Sequence, residues 1–320
     1  MDKRRRVNVT GSVLCTLTIA LIHVSSSPAD AQTRAAVPVP VVSQAVAEPA
    51  VVSPGPSSVF DNVGFFVGLD GSKQPQDLGI NANMGVRLAA NAGVPIARAH
   101  GIGVQLGVAL NLSDAAVHVL DQISDTSRRT QTFATVGLFQ ERAGFGWAVA
   151  YDHLREKYYD TFTLGQVRGE LSARVSRNDE VGAWFTHPLQ DATAAAPGAI
   201  VRLAPVGQLN GLARHQWATG AVTTVWAGVA ARHHNVVLVF PDNSSSRNVI
   251  VYGARLDLPL NERMSITGSG NFLTPTSTGT VDAYLGVTFT PRRRTGSTRS
   301  AFTPPLDVAN NPEFPVDLRR

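Results

Sequence analysis

The sequence contains little cysteine, little charge and no long apolar run, and each shortage excludes a class of protein. Its single cysteine, Cys15, excludes a disulfide within the chain and a cysteine-based metal site. Charged residues make up 16% of the chain, whereas about a quarter is usual in soluble proteins. After residue 24 no apolar run approaches the roughly 18 residues that a membrane helix needs. Two classes remain: a membrane β-barrel and a soluble all-β domain.

Residues 1–31 have the three parts of a secretory signal peptide. Basic residues at 3–6 precede the short apolar core GSVLCTLTIALIHV, and the small-residue sequence Ala-Asp-Ala ends at position 31. We therefore expect cleavage before Gln32, with an uncleaved membrane anchor as the alternative. Leu14 stands before Cys15, where a lipoprotein signal has a small residue, so a lipoprotein is not expected. Cleavage would remove four basic and two acidic residues and lower the net charge from +4 to +2, which gives no reason to expect nucleic-acid binding.

Low-complexity sequence flanks the central part of the chain. Residues 32–58 carry five prolines and no regular period, which predicts an extended, disordered linker. Residues 291–320 carry three arginines at 292–294 and several prolines, which predicts a disordered basic tail. The folded domain is therefore expected over residues 59–290.

The stretch from Gly79 to Asn111 alternates apolar with small or polar residues in two arms. The apolar positions are Ile80, Ala82, Met84, Val86 and Leu88 in the first arm, and Ile102, Val104, Leu106, Val108 and Leu110 in the second. A period of two over ten residues indicates a strand with one apolar face. Because the opposite face is polar rather than apolar, two such arms are typical of a hairpin in a membrane β-barrel.

Segments of the same kind continue to Phe289 and predict an all-β, antiparallel up-and-down β-barrel of about 12 strands. In this interpretation residues 188–198 form a loop, and residues 199–213 form one strand interrupted at Pro205. Connections from even to odd strands are mostly tight, and those from odd to even strands are mostly longer and more polar. Outer-membrane barrels have this asymmetry, with short periplasmic turns and long outer loops.

The polar face of the predicted strands supplies the candidate site. We expect the lumen to be lined by Asn81, Asn83, Arg87, Gln105, Gln166, Arg168, Glu170, Arg174, Arg255, Asp257, Asn271 and Asp282. The arginines could form a polar pore that favours anions, or the side chains could pair and fill a narrow barrel. Twelve strands lie between filled eight-stranded barrels and open porins of 16 or more, and this size favours the filled lumen.

No catalytic residue, metal site or cofactor is predicted. His233 and His234 are adjacent, so in a strand their side chains would point to opposite faces and would not chelate together. Asp152, His153 and His187 could belong to a barrel hydrolase, but no G-x-S-x-G sequence is present.

Two stretches carry a resemblance to a known family: GLDGSKQPQDLGINANMGVRLAANAGVPI and RRTQTFATVGLFQERAGFGWAVAYDHLREKYYDTFTLGQVRGEL. They resemble a family of exported planctomycete proteins of unknown function that have a β-barrel-like domain, over about residues 60–290. The resemblance implies export and an all-β barrel. It implies no activity and no functional residue.

The sequence therefore favours an outer-membrane β-barrel without catalysis, either a structural envelope protein or a narrow passive channel. Its expected partners are membrane lipid, the outer-membrane assembly machinery and, if the lumen is open, small polar or anionic solutes. The alternative is a secreted soluble β-domain, periplasmic or extracellular, that binds a polysaccharide or a surface partner. A barrel hydrolase is a third hypothesis, and it requires His and Ser side chains within hydrogen-bonding reach of each other.

Overall fold

The computed structural model describes residues 62–74, 82–115, 128–142, 144–196, 199–231, 249–274, 280–291 and 302–319. The strands in these ranges are β1 (Val63–Lys73), β2 (Asn83–Ala97), β3 (Ile102–Ala115), β4 (Arg128–Arg142), β5 (Phe145–Lys157), β6 (Thr161–Arg174), β7 (Asp179–Gln190), β8 (Ala192–Ala196), β9 (Ala199–Pro205), β10 (Gln208–Gln216), β11 (Val222–Ala230), β12 (Val249–Pro259), β13 (Met264–Thr274), β14 (Thr280–Phe289) and β15 (Val316–Arg319). Two short 3₁₀ helices are η1 (Arg98–His100) and η2 (Asn311–Glu313). Within these ranges no helix is long and apolar enough to cross a membrane. The predicted signal peptide, the linker, Asn81 and the His233-His234 pair lie outside them.

Twelve of the strands form a closed antiparallel barrel, as the alternation predicts. Each strand pairs with its neighbours in sequence, except that β7 pairs with β10 because β8 and β9 leave the wall. The barrel closes between β1 and β14, where Phe65 pairs with Phe289 and Lys73 with Val281. Every wall strand therefore has a hydrogen-bonded partner on both sides, and no strand edge is left open.

The two faces of the wall differ as the period-two pattern requires. Leu106 and Val108 are 48% and 59% exposed on the outer face of β3, whereas Gln105 and Ala109 are buried on its inner face. The same alternation holds in β4, where Phe133 and Phe139 lie on the inner face and are fully buried. Apolar side chains thus cover the outside of the barrel, and polar side chains together with a few aromatic rings line the inside.

The two ends of the barrel are built differently. At one end, here called the turn end, residues 98–101, 143–144, 175–178, 217–221 and 260–263 connect the strands. At the other, here called the loop end, longer segments connect most of them. The turn after β2 is tightened by a left-handed residue, Gly101 at φ 67°, whose N–H donates to the Arg98 carbonyl at 3.1 Å. Glycine occupies this conformation without a Cβ clash, so even this longer turn remains compact.

Part of the long link between β7 and β10 is ordered. The expected loop 188–198 includes the end of β7 and all of β8, and the expected strand 199–213 is divided between β9 and β10. β8 and β9 form a hairpin outside the barrel wall. The break follows from Pro205, which has no N–H to continue a ladder.

The prediction of a disordered tail is wrong for residues 302–319, hereafter the lumen segment. This segment lies inside the barrel and is mostly buried. Its first residue, Phe302, lies against Gly93 near the turn end, and Val316 donates its N–H to Gln74 at the loop end. The segment ends in β15, which adds to β9 as the third strand of the small sheet.

An apolar core fills the interior near the loop end. Phe314, Val316 and Leu318 of the lumen segment pack with Val201 and Leu203 of β9. The inward side chains that complete this core are Phe133, Leu154, Phe162 and Leu164. Because burial of apolar surface is favourable, this core fixes the hairpin and the lumen segment to the inward side chains of the wall.

Candidate functional site

Most of the predicted lumen residues do line the interior. Asn83, Arg87, Gln105, Gln166, Arg168, Asn271 and Asp282 are buried there, and Glu170, Arg255 and Asp257 are half-buried. Arg174 is instead exposed, as the last residue of β6 at the turn end. These side chains do not surround an open pore, because the lumen segment occupies the space between them.

The wall recognises the main chain of the lumen segment. The guanidinium of Arg87 donates to the carbonyl oxygens of Val308 and Ala309 at 3.2 and 3.1 Å, and Gln105 donates to that of Leu306 at 2.8 Å. Asn91 donates to the same Leu306 carbonyl at 3.0 Å. Further carbonyl oxygens of the segment accept from Gln74 (3.3 Å), Gln166 (2.9 Å) and Asn271 (2.8 Å). A buried peptide group without a partner is costly, so these donors allow an irregular segment to be buried.

One side chain of the segment, Asn311, is recognised by the wall. Gln131 donates to its Oδ1 at 2.9 Å, and its Nδ2 lies 2.9 Å from Asp70 Oδ2. Asn311 is 1% exposed. The neighbouring Asn310 accepts a hydrogen bond from the N–H of Glu313 and so caps η2.

A buried ion pair stands beside Asn311. Arg129 Nε and Nη2 donate to Glu156 Oε1 and Oε2 at 2.8 and 2.9 Å, and neither side chain is exposed. Arg129 also donates to Ser72 at 2.9 Å, and Gln131 donates to Glu156 at 2.9 Å. This bidentate geometry with further hydrogen bonds is what a buried pair needs to offset its desolvation.

Two wall arginines pair with two of the three acidic residues of the lumen segment. Arg168 pairs with Asp152 at 3.0 Å and with Glu313, and Arg255 pairs with Asp307. The arginines that composition suggested for anion binding are thus paired within the protein.

A small charged cavity remains between the segment and the wall formed by β6, β7 and β10–β13. Arg214 crosses it and pairs with Glu170 at 3.0 Å and with Glu180. Its apolar side includes Trp184 and Trp226, whose rings meet edge to face at 6.2 Å. The space of about 60 Å³ holds a few water molecules at about 10–15 Å³ each, or one small ion.

Within the described ranges, no Ser, His and Asp side chains form the arrangement of a hydrolase. Asp152 faces the lumen, whereas His153 and His187 lie on the outer face of the wall. Ser176, Asp179 and His215 meet at the turn end, but Ser176 Oγ donates to Asp179 at 2.5 Å while His215 Nδ1 lies 2.7 Å from the other carboxyl oxygen. A catalytic serine needs its hydrogen bond to the imidazole. Among the described residues, no group of three or more His, Cys, Asp or Glu side chains could hold a metal ion.

Sequence reasoning missed the lumen segment and several wall partners, among them Arg129, Gln131, Asp152, Glu156 and Arg214. The wall partners follow the same alternation that identifies Arg168 and Arg255. The segment also has its own signal: Leu306 and Val308, then Phe314, Val316 and Leu318, are spaced by two residues. That spacing predicts an extended conformation with one buried face.

A family model described as "Family of unknown function (DUF6666)" matches residues 62–316, which includes most of the lumen segment. No curated protein matches the chain. The barrel is similar to solved structures at low identity. The KdgM porin has a TM-score of 0.38 with 9% identity, over 70% of this chain and 98% of the porin. Outer membrane phospholipase A from Escherichia coli has a TM-score of 0.38 with 9% identity, over 71% of this chain and 95% of the phospholipase. The translocator domain of autotransporter NalP from Neisseria meningitidis has a TM-score of 0.45 with 11% identity, over 71% of this chain and 87% of the translocator domain.

Proposed function

The chain belongs to the DUF6666 family of unknown function, and we propose that it is a closed outer-membrane β-barrel with a structural role in the cell envelope. The observation that carries the proposal is the filled lumen. The lumen segment enters beside Gly93 at the turn end and reaches Gln74 at the loop end, with wall hydrogen bonds along its course. A barrel filled in this way occupies the membrane without passing solutes.

The outer face supports a location in lipid. Its side chains are large and apolar, and many are about half exposed or more, for example Leu69 at 63%, Leu209 at 60% and Leu285 at 59%. Apolar patches larger than a few hundred Å² are rare on soluble monomers and mark interaction or membrane surfaces. The alternative of a secreted soluble domain would leave this whole surface in water.

The turn end is proposed to face the periplasm. Short connections gather at that end and longer ones at the other, as in outer-membrane barrels. The proposed route is export by the signal peptide of residues 1–31, cleavage before Gln32 and insertion by the outer-membrane assembly machinery.

A narrow passive channel is the second candidate function, and the charged cavity favours it. Arg214, Glu170 and Asp257 line a space beside the lumen segment that can hold water or a small ion.

The test is a planar-bilayer recording of the chain from Gln32, refolded in detergent. Heat-modifiable migration in a detergent gel identifies the folded barrel. We expect folded protein that inserts into the bilayer and gives no steady current. Steady ion-conducting steps from folded protein would replace the structural proposal with the passive channel. A protein that stays monomeric and soluble without detergent would contradict both.

A further inference from the structure

The lumen has the properties of a peptide-binding site, whether or not the barrel has a structural role in the envelope. We propose that the lumen is a binding site for an extended peptide, and that residues 302–319 are its resident ligand. In this view the segment is a tethered ligand that a free peptide of the same sequence can replace. The barrel wall is the receptor.

The barrel wall is complete without the segment. β14 pairs with β1 through nine residue pairs, from Phe65–Phe289 to Lys73–Val281. The segment follows β14 in the chain and contributes no strand to the barrel. Removing it would therefore break no ladder of the closed wall.

The inner face of the wall hydrogen-bonds to the peptide groups of the segment. The wall offers long polar side chains, such as Arg87 and Gln105, that donate to main-chain carbonyl oxygens of the segment. It also accepts from the segment's N–H groups: Thr135 from Ala309 at 3.0 Å and Gln74 from Val316 at 3.1 Å. A site that binds both kinds of main-chain group suits a peptide and not a sugar or a lipid.

The wall also makes specific contacts with side chains of the segment. The amide of Asn311 is held by Gln131 and Asp70. The ring of Phe314 is fully buried, with its centroid 6.1 Å from that of Phe133 in an edge-to-face contact. Amide and aromatic contacts at fixed positions distinguish this peptide from others of similar composition.

At the loop end the segment adds β15 as a strand to β9. Val316–Arg319 pair with Arg202–Pro205 of β9, and the N–H of Val206 donates to the Pro315 carbonyl at 2.8 Å. Without the segment this edge of the β8–β9 hairpin would be unpaired. Adding a strand to an open edge is an established mode of peptide binding.

The wall has glycine, without a side chain, at two positions where the segment passes. A Cβ placed on Gly93 would lie 1.9 Å from the carbonyl oxygen of Phe302, and one on Gly107 would lie 2.5 Å from Val308 Cγ2. Gly64, also on the inner face near the turn end, has no atom within 3.7 Å of such a Cβ. Gly93 and Gly107 therefore provide clearance for the segment itself.

The experiment uses the full chain with a protease site inserted between residues 291 and 302, cut after the barrel has folded. A labelled peptide of residues 302–319 is then added, and bound label is measured by fluorescence anisotropy after heat-modifiable migration has verified the fold. We expect the cut segment to be released and the labelled peptide to bind saturably. A peptide of the same composition in scrambled order should bind about tenfold more weakly or worse, since it loses the placed contacts.

Two variants locate the binding. Gly93→Ala should weaken binding of the labelled peptide by about tenfold or more, because the added methyl overpacks the path of the segment. Gly64→Ala is the matched control and should bind like the unmodified barrel. A cut segment that never exchanges in a folded barrel would overturn the proposal, as would equal binding of the ordered and scrambled peptides. Conductance plays no part in the readout, so failure of the structural proposal would be seen separately.

Discussion

The side-chain amides of Gln131 and Asn311 pair reciprocally inside the barrel, although 180 residues separate them in the chain. Gln131 Nε2 donates to Asn311 Oδ1 at 2.9 Å, and Asn311 Nδ2 donates to Gln131 Oε1 at 3.1 Å. The pair joins β4 of the wall to η2 of the lumen segment. Residues 302–319 therefore belong to the folded domain.

Asn311→Ala should lower the free energy of unfolding by about 1–3 kcal/mol, the cost of leaving a buried polar group without its partner. Gln131 and Asp70 both lose a hydrogen bond in this variant. Urea unfolding of the barrel in lipid or detergent measures the change. Asn178→Ala is the control, because Asn178 is exposed in a turn and should stay within about 0.5 kcal/mol. Equal effects of the two variants would contradict the role assigned to Asn311.

Replacing Glu156 by Leu should destabilise the barrel by about 3–5 kcal/mol, because Arg129 would remain as a buried charge without its carboxylate. Both side chains of the pair are 0% exposed. The exposed pair of Arg202 and Asp191 is the control, and Asp191→Ala should cost about 1 kcal/mol or less. The same unfolding measurement separates them. A small effect of Glu156→Leu would show that Arg129 reaches water or another acid.

Arginine substitutions on the outer face of β3 test the membrane location. Val108 lies near the middle of the strand and is 59% exposed. In a bilayer Val108→Arg should cost about 2–4 kcal/mol, and Leu112→Arg, nearer the loop end, should cost less. On a soluble domain in water an exposed arginine at either position should be nearly neutral, within about 0.5 kcal/mol. Folding into vesicles, followed by urea titration, distinguishes the two profiles.

A chain that ends at residue 301 should conduct where the full chain is silent. Removal of the lumen segment takes away Leu306, Phe314 and the acidic side chains that pair with Arg168 and Arg255. The wall that remains carries polar side chains such as Arg87, Gln105 and Arg168 on its inner face, so water can enter the space that the segment leaves. Bilayer recordings of the two chains at equal amounts of folded barrel make the comparison. If both are silent, the lumen is closed by something other than this segment.

The wall could be predicted from the sequence because its signal is local. Alternation along β3 identifies Gln105 as inward and Val108 as outward, and the structure agrees. The same argument identifies Arg87 and Arg168 as lumen residues. Their partners were not predictable in this way, because a period of two gives the face of a residue and not what lies opposite it.

The lumen segment could not be placed from the sequence by the same means. Its prolines and preceding arginines are typical of disorder, and residues 309–312 interrupt the spacing of its apolar residues. Its order depends on donors such as Arg87 and Asn271, which come from strands far away in the chain. The β8–β9 hairpin was missed for a related reason, since β9 is completed by β15 from the other end of the domain.

Strand period and turn length are local properties of the chain, so the sequence alone predicts a twelve-stranded antiparallel barrel with an apolar outside and a polar inside. The contents of the barrel depend instead on contacts between residues that are far apart in the chain. A closed wall creates a space in which unpaired peptide groups are costly, and the chain fills that space with residues 302–319, whose hydrogen bonds exist only after the wall has formed.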